Sequence, residues 1–130
     1  MDLKTRLAEN IYQTIKTEKL NTNEIVKLLR QVELEVLEKQ ISETHNPGER
    51  YVLHKNGYIQ KFSKQKMFFD IASNSEFAEC PMNEYDINIV TEDVLKNFKN
   101  RQLLTTGELK NWLREALYSN GYKSTANRYK

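Results

Sequence analysis

The chain has 130 residues, a formal net charge of +2, and 38% hydrophobic, 29% charged and 10% aromatic residues. This length fits one globular domain of roughly 100 to 150 residues and is too short for a Rossmann pair or a barrel. The apolar content excludes an intrinsically disordered chain, and every apolar run is far shorter than the roughly 18 residues of a membrane-spanning helix.

Residues 1–45 predict a helical hairpin. Apolar residues at spacings of three and four predict a first helix over about residues 3–17. A second helix is expected to begin near Asn21, which forms a capping-box-like pair with Glu24. Thr22 or Asn23 could equally be the cap.

The second helix is expected to end at about Glu43, because Pro47 cannot donate to a helix ladder. Its main apolar face consists of Ile25, Leu28, Leu29, Val32 and Val36. A separate flank consists of Leu34, Leu37 and Ile41. The flank either packs inside the same domain or forms a protein interface, in the simplest case that of a homodimer.

Residues 50–63 predict a β-hairpin. Two β-rich runs, residues 51–55 and 58–62, flank Asn56-Gly57, which is typical of a two-residue type I′ turn. Such a turn would pair Tyr51 with Phe62 and Leu53 with Gln60 on one face.

A third strand is predicted at residues 85–90, where Tyr85, Ile87 and Ile89 alternate with polar residues. It would complete a small antiparallel sheet. Residues 63–72 fit either a short helix or another strand, since short apolar runs are ambiguous.

The last third of the chain predicts a helix pair. One helix is expected to follow Thr91, and the second is expected to begin at a capping box of Thr105 and Glu108 and to end at Gly121. Residues 122–130 form a basic tail that is expected to be mobile. The predicted architecture is therefore a single α+β domain over residues 1–121, with an N-terminal helical hairpin, a small antiparallel sheet and a C-terminal helix pair.

Charge is unevenly distributed along the chain. Residues 50–69 hold five basic and no acidic residues, residues 70–90 hold five acidic and no basic ones, and residues 91–130 have eight basic against four acidic. Lysines interleaved with Tyr51, Tyr58 and Phe62 suit nucleic acid, because lysines contact phosphates while rings stack on bases. The alternative is that the aromatic face packs in the core and the lysines protect the sheet edge.

The C-terminal helices, joined by residues 102–105, invite a geometric comparison with a helix-turn-helix. Asn and Arg on an outer helix face suit base edges, although any amphipathic helix also offers such residues to solvent. The candidate nucleic-acid contacts are Arg50, Lys55, Tyr58, Lys61, Lys64, Lys66, Lys110, Asn111, Arg114, Lys123, Arg128 and Lys130.

Little in the sequence supports catalysis. Cys80, His45 and His54 are too scattered to predict a metal site, and the four glycines form no phosphate-binding loop. We expect no cofactor, no metal and no small-molecule substrate. The minority hypothesis is a metal-independent ribonuclease that uses His54 beside Lys55 and Tyr58.

These patterns predict a small non-enzymatic regulatory protein that binds nucleic acid or a nucleic-acid-handling complex. The alternative is a protein-interaction module, such as an inhibitor, adaptor or dimeric scaffold, of the kind that phages and mobile elements encode. The chain has a single cysteine, and charged residues interrupt the apolar residues at its N-terminus. Both features predict a cytoplasmic location without membrane contact.

Overall fold

The computed structural model describes residues 1–76, 78 and 81–129, and the chain divides into two units, Met1–Leu37 and Glu38–Lys130. N-terminal helices are followed by a small three-stranded sheet and C-terminal helices, which confirms the predicted α+β class. The single domain over residues 1–121 stays a prediction. Among the described residues, no helix is both long enough and apolar enough to cross a membrane.

The first unit contains α1 and most of α2, and both predicted helices are confirmed. The α1 helix spans Leu3–Ile15 and continues as a 3₁₀ turn over Lys16–Glu18, and α2 spans Thr22–Thr44. Asn21 caps α2, because its side-chain oxygen accepts a hydrogen bond from the Glu24 backbone N–H at 2.9 Å.

The second unit contains the end of α2 and the core of the protein. Its further described helices are α3 (Lys64–Ser75), α4 (Glu84–Leu95), α5 (Thr106–Ser119) and α6 (Lys123–Ala126), followed by a 3₁₀ turn over Asn127–Tyr129. The α3 helix shows that residues 64–72 are helical rather than extended. The core side chains are Ile71, Ile87, Val90, Val94, Phe98, Leu104, Leu113, Ala116, Leu117, Ala126 and Tyr129.

The predicted strand at residues 85–90 is wrong, because this segment is the first half of α4. Asn83 and Asp86 form a reciprocal capping box, in which each side chain accepts a hydrogen bond from the other residue's backbone N–H. The buried positions of α4 follow the helical spacing of three and four: Ile87, Val90, Thr91 and Val94. The apparent alternation of apolar and polar residues was therefore half of a helical pattern.

The sheet is mixed rather than antiparallel. Its strands are β1 (Tyr51–Leu53), β2 (Ile59–Lys61) and β3 (Leu103–Thr105), in the order β2-β1-β3. The β1 strand pairs antiparallel with β2 and parallel with β3. A parallel pair requires a long crossover, and α3 and α4 lie in this connection. Leu103 and Leu104 are both buried, as expected of a strand covered on two faces.

The hairpin exists, but its register differs by one residue from the prediction. Val52 lies opposite Gln60, and Tyr51 lies opposite Lys61 instead of Phe62. The His54 N–H donates to the Tyr58 carbonyl at 2.9 Å, and the Gly57 N–H donates to the His54 carbonyl at 2.9 Å. Gly57 alone of the loop residues has positive φ, at 89°. The loop therefore has three residues and ends in a glycine bulge, and this shift exchanges the two faces of β2.

The C-terminal segment, as far as it is described, packs against the second unit instead of extending from it. Ala126 is fully buried and Tyr129 is 9% exposed. The Tyr129 hydroxyl donates to Asp70 Oδ2 at 2.7 Å and accepts from Asn74 Nδ2 at 2.8 Å. Burial and the carboxylate of Asp70 raise the pKa of Tyr129 above its ordinary value, so the hydroxyl stays protonated. Residues 122–129 are thus part of the second unit's core, and Lys130 lies outside the described residues.

Candidate nucleic-acid interface

Two neighbouring clefts in the second unit meet at Lys61 and Phe62, which line both of them. The first cleft has a volume of about 290 Å³, and the second has a volume of about 520 Å³. The predicted cations that line one or both clefts are Arg50, Lys61, Lys64, Lys66 and Lys110. Five of the twelve candidate contacts therefore converge, although they come from the hairpin, α3 and α5.

The first cleft has an apolar floor and a basic rim. Its apolar lining consists of Val52, Phe62, Met67, Leu109 and Leu113. The exposed side chains of Lys61, Lys66 and Lys110 supply the positive charge. One acidic residue, Asp70, also lines the cleft, and one of its oxygens accepts the hydroxyl of Tyr129. Positive charge thus exceeds negative charge around this cleft.

The second cleft contains Arg50, whose side chain is half-buried. The Arg50 guanidinium lies 5.6 Å from the centre of the Phe98 ring, and its Nη2 donates to the Lys99 carbonyl at 2.6 Å. The Nε atom is buried and has no hydrogen-bond partner. Arg50 therefore stabilises the wall of the second cleft, and its positive charge lies partly buried in that wall.

Lys61 and Lys64 form ion pairs at the surface. The Lys61 ammonium lies 3.8 Å from Glu49 Oε1, and the Lys64 ammonium contacts a carboxylate oxygen of Glu92. Both lysine side chains are more than half exposed. Exposed pairs of this kind contribute little to stability, so these ammonium groups can exchange a carboxylate for a phosphate at little cost.

The three aromatic residues of the hairpin differ in accessibility. Tyr58 is 50% exposed, and its ring stacks on His54 with centroids 4.2 Å apart and an interplanar angle of 7°. Phe62 is half-buried and meets the Phe98 ring edge-on. Tyr58 is therefore the hairpin ring with an open face.

Tyr51 belongs to a separate hydrogen-bonded group. Its hydroxyl donates to Glu49 Oε2 at 2.5 Å and lies 2.9 Å from His45 Nδ1. The hydrogen bond lowers the pKa of Glu49 and raises the pKa of Tyr51. The Tyr51 hydroxyl is thus engaged within the chain, and its ring lies against the His45 ring with centroids 4.7 Å apart.

The helix-turn-helix comparison is not supported by the structure. Residues 103–105, expected in the turn, form β3, and α5 begins directly after this strand. Arg114 Nη2 donates to Asn111 Oδ1 at 3.1 Å, so the two side chains proposed to contact bases bond to each other. Lys110 instead lines the first cleft, beside the hairpin.

The remaining candidate contacts are spread outside the clefts. Lys55 is exposed in the hairpin loop, and Lys123 is exposed on α6. The Arg128 Nε donates to Asn74 Oδ1 at 3.1 Å. Lys130 lies outside the described residues. These residues stay predictions without a common site.

The proposed protein-interface residues fall in different units. Leu34 and Leu37 are partly exposed in the first unit, whereas Ile41 is 3% exposed and buried in the second. None of residues 1–37, all of which the structure describes, is buried. The exposed large apolar residues of this unit are Met1, Leu3, Leu7, Ile11, Tyr12, Val26, Leu29, Val32 and Val36. The main face of α2 is thus accessible at Leu29, Val32 and Val36, and the flank stays a predicted interface.

Within the described part of the chain, no group of three His, Cys, Asp or Glu residues is placed to hold a metal ion. Cys80 is not among the described residues. His54 Nε2 lies 3.0 Å from Gln60 Oε1, and its ring is covered by Tyr58.

Sequence reasoning missed the residues that give the first cleft its shape. Met67 and Leu109 form part of the floor, and Asp70 and Tyr129 join α3 to the C-terminal segment at its edge. Met67 and Leu109 are apolar residues far apart in the sequence, and nothing in the sequence showed that they line one cleft.

No protein-family model matches the chain, and no curated protein has a significantly similar sequence. The function is therefore inferred from the two clefts and from the exposed surfaces.

Proposed function

We propose that this protein is a small, non-enzymatic regulatory protein that binds nucleic acid, alone or within a nucleic-acid-handling complex. The observation that carries the proposal is the convergence of Arg50, Lys61, Lys64, Lys66 and Lys110 on two adjoining clefts. Four of these cations belong to the basic run of residues 50–69, and the fold adds Lys110 from α5 to them.

The charges suit a polyanion better than a single small anion. The two clefts share Lys61, and the remaining cations lie on either side of it. A ligand with regularly spaced phosphates can contact several such cations at once and releases counterions as it binds. The apolar floor of the first cleft adds a surface for a base or sugar, which a purely electrostatic site lacks.

The acidic segment at residues 70–90 does not oppose this reading. Glu84 and Asp86 lie in the first turn of α4, where the positive end of the helix dipole favours acidic residues. Among the described residues of this segment, only Asp70 lines either cleft.

The test is fluorescence anisotropy with labelled DNA and RNA across a salt series, comparing the wild type with Lys66→Glu/Lys110→Glu. Each lost phosphate contact lowers the slope of log K against log salt by roughly 0.7 to 0.9. We therefore expect the double variant to bind more weakly and to have a slope smaller by roughly 1.4 to 1.8.

A matched control removes the same charge elsewhere. Lys27 and Lys96 are exposed and do not line the two clefts, so Lys27→Glu/Lys96→Glu is expected to bind as the wild type does. Equal losses in both variants would show that net charge alone drives binding. No binding at low salt would overturn the proposal.

A second function, protein interaction, is favoured by the first unit. A two-helix unit of this size without a buried residue exposes the apolar face that helices normally bury against a partner. We propose a second copy of this unit as the partner, since two hairpins can form a four-helix bundle. A mass that stays monomeric at all concentrations would remove this dimer.

A further inference from the structure

We infer that the nucleic acid bound at the two clefts is single-stranded, with one unpaired base stacked on the outer face of Tyr58. The inference rests on the proposed function and specifies its ligand.

The Tyr58 ring is prepared for stacking on one side only. Its inner face lies on His54 with an interplanar angle of 7°, so His54 fixes the ring's orientation. Half of the Tyr58 surface remains exposed, and His54, on which the ring stacks, lines the first cleft. A base placed on the outer face would extend the existing pair into a three-layer stack.

Only an unpaired base can occupy this position. In a duplex both faces of each base are covered by neighbouring base pairs, whereas single strands present their faces to aromatic side chains. Ring stacking tolerates any base, so this contact confers binding without strong sequence preference.

The shape of the first cleft also favours a single strand. Its volume of about 290 Å³ lies near the lower limit of small-ligand pockets, roughly 300 Å³. A cleft of this size admits a base or sugar over Phe62 and Met67, with phosphates at the rim near Lys61. Gln60, Ser63 and Thr106 also line it and offer hydrogen bonds to a base edge.

The C-terminal helices do not form the helix-turn-helix to which they were compared for contacts with base edges in a duplex. A helix enters the major groove of a duplex when it projects from its domain after a short turn. Here α5 follows β3 directly and buries Leu113 and Leu117 in the core. Arg114 and Asn111 are bonded to each other on its outer side.

The experiment measures anisotropy with a short single-stranded DNA, the RNA of the same sequence, and the corresponding DNA duplex. The proteins are the wild type, Tyr58→Ala, Tyr58→Phe, and Tyr85→Ala as a control in an exposed ring that lies on α4 and lines neither cleft. We expect single strands to bind more tightly than the duplex. Tyr58→Ala should weaken single-strand binding by roughly 5- to 100-fold, the range for loss of one stacked base.

Two further readouts separate stacking from charge and from misfolding. Tyr58→Ala removes no cation, so its salt slope should equal that of the wild type, whereas Lys66→Glu/Lys110→Glu lowers the slope. Tyr58→Phe keeps the ring and should bind as the wild type does. Tyr85→Ala should also leave binding unchanged.

The outcomes distinguish this inference from the proposed function. Duplex binding as tight as single-strand binding, or wild-type affinity in Tyr58→Ala, would overturn the single-strand inference and leave the proposed function standing. Absence of binding to all three probes would overturn both. Binding of either the DNA or the RNA strand supports the inference, and a preference for RNA would indicate a contact to the 2′-hydroxyl.

Discussion

The two units of this chain contain similar amphipathic helices but bury them to different extents. In Met1–Leu37, which carries six basic and six acidic residues, no residue is buried. In Glu38–Lys130, helices α3, α4 and α5 surround a continuous core that includes the fully buried Ile71, Val90 and Leu117. Apolar periodicity therefore predicts that a helix forms, but not whether its apolar face is covered by the same chain.

The difference assigns separate roles to the two units. The second unit has the buried apolar surface that stabilises a fold, and it also positions the two clefts. The first unit has helix caps and a cleft of about 360 Å³ lined by Ile11, Leu28 and Val32, but no core. Two short helices without a core are marginally stable alone, so a partner would stabilise the first unit.

The largest expected effect is the loss of core packing in the second unit. Leu117 is fully buried, and Leu117→Ala should lower the free energy of unfolding by about 2 to 5 kcal/mol, through lost burial and the cavity left behind. Leu7 is 51% exposed, and Leu7→Ala should change it by less than about 0.5 kcal/mol in dilute solution. Urea unfolding followed by circular dichroism measures both.

The comparison would fail if the two variants were destabilised equally, because the first unit would then be packed as tightly as the second. A Leu7→Ala effect that grows with protein concentration would instead support association through the first unit.

The sequence predicted the elements of the fold better than their arrangement. Helix ends that depend on local caps, such as Asn21 and the Thr105–Glu108 pair, were predictable because the partners lie three residues apart. The third strand, β3, was not predictable. Its Leu103 and Leu104 are two adjacent apolar residues that pair with β1 across about fifty residues of chain. Long-range pairing leaves no periodic signal in three residues.

The residues of the candidate site were also easier to predict than their arrangement. The basic run and Tyr58 were visible in the sequence because composition is local. The meeting of Lys110 with Lys61 and Lys66 was not, because it depends on how α5 packs beside α3 and the hairpin. The one-residue register shift has a similar cause: Asn56-Gly57 suits two turn types, and the choice between them depends on the strands around it.

An intermediate effect on the free energy of unfolding is expected from a polar, partly exposed contact of the second unit, the ion pair of Arg101 with Glu108. The Arg101 guanidinium donates two hydrogen bonds to Glu108, one of them 2.8 Å long, and this pairing holds the pKa of Glu108 below its ordinary value of 4.5. A lowered pKa in the folded state stabilises the fold above the unfolded pKa, and this contribution is lost as pH falls through the folded pKa. Glu108→Gln should therefore cost about 1 kcal/mol at pH 7.

The pH series provides the check. As pH falls through the lowered pKa of Glu108, the wild-type carboxyl becomes protonated, so the difference in stability between wild type and Glu108→Gln should shrink toward zero. Glu92→Gln, which removes the exposed pair with Lys64, should change stability by less than about 0.5 kcal/mol at any pH. A difference for Glu108→Gln that stayed constant down to pH 2 would show that the charge is not responsible.

Effects of about 1 kcal/mol or less are expected from changes at two glycines and at Asn56, and those in the hairpin test the observed register. Gly57 has φ of 89° with no atom within 4 Å of an added Cβ, so Gly57→Ala should cost about 1 kcal/mol through backbone strain alone. Asn56 does not have positive φ, so Asn56→Ala should be nearly neutral, whereas a type I′ turn would make both changes unfavourable. Gly107 lies in α5 with equal space and without positive φ, so Gly107→Ala should stabilise the protein by roughly 0.5 kcal/mol. If Gly57→Ala lowers and Gly107→Ala raises the temperature of thermal unfolding, the hairpin unfolds cooperatively with the second unit. If Gly57→Ala has no effect, the hairpin lies outside that cooperative fold, as we expect of the first unit.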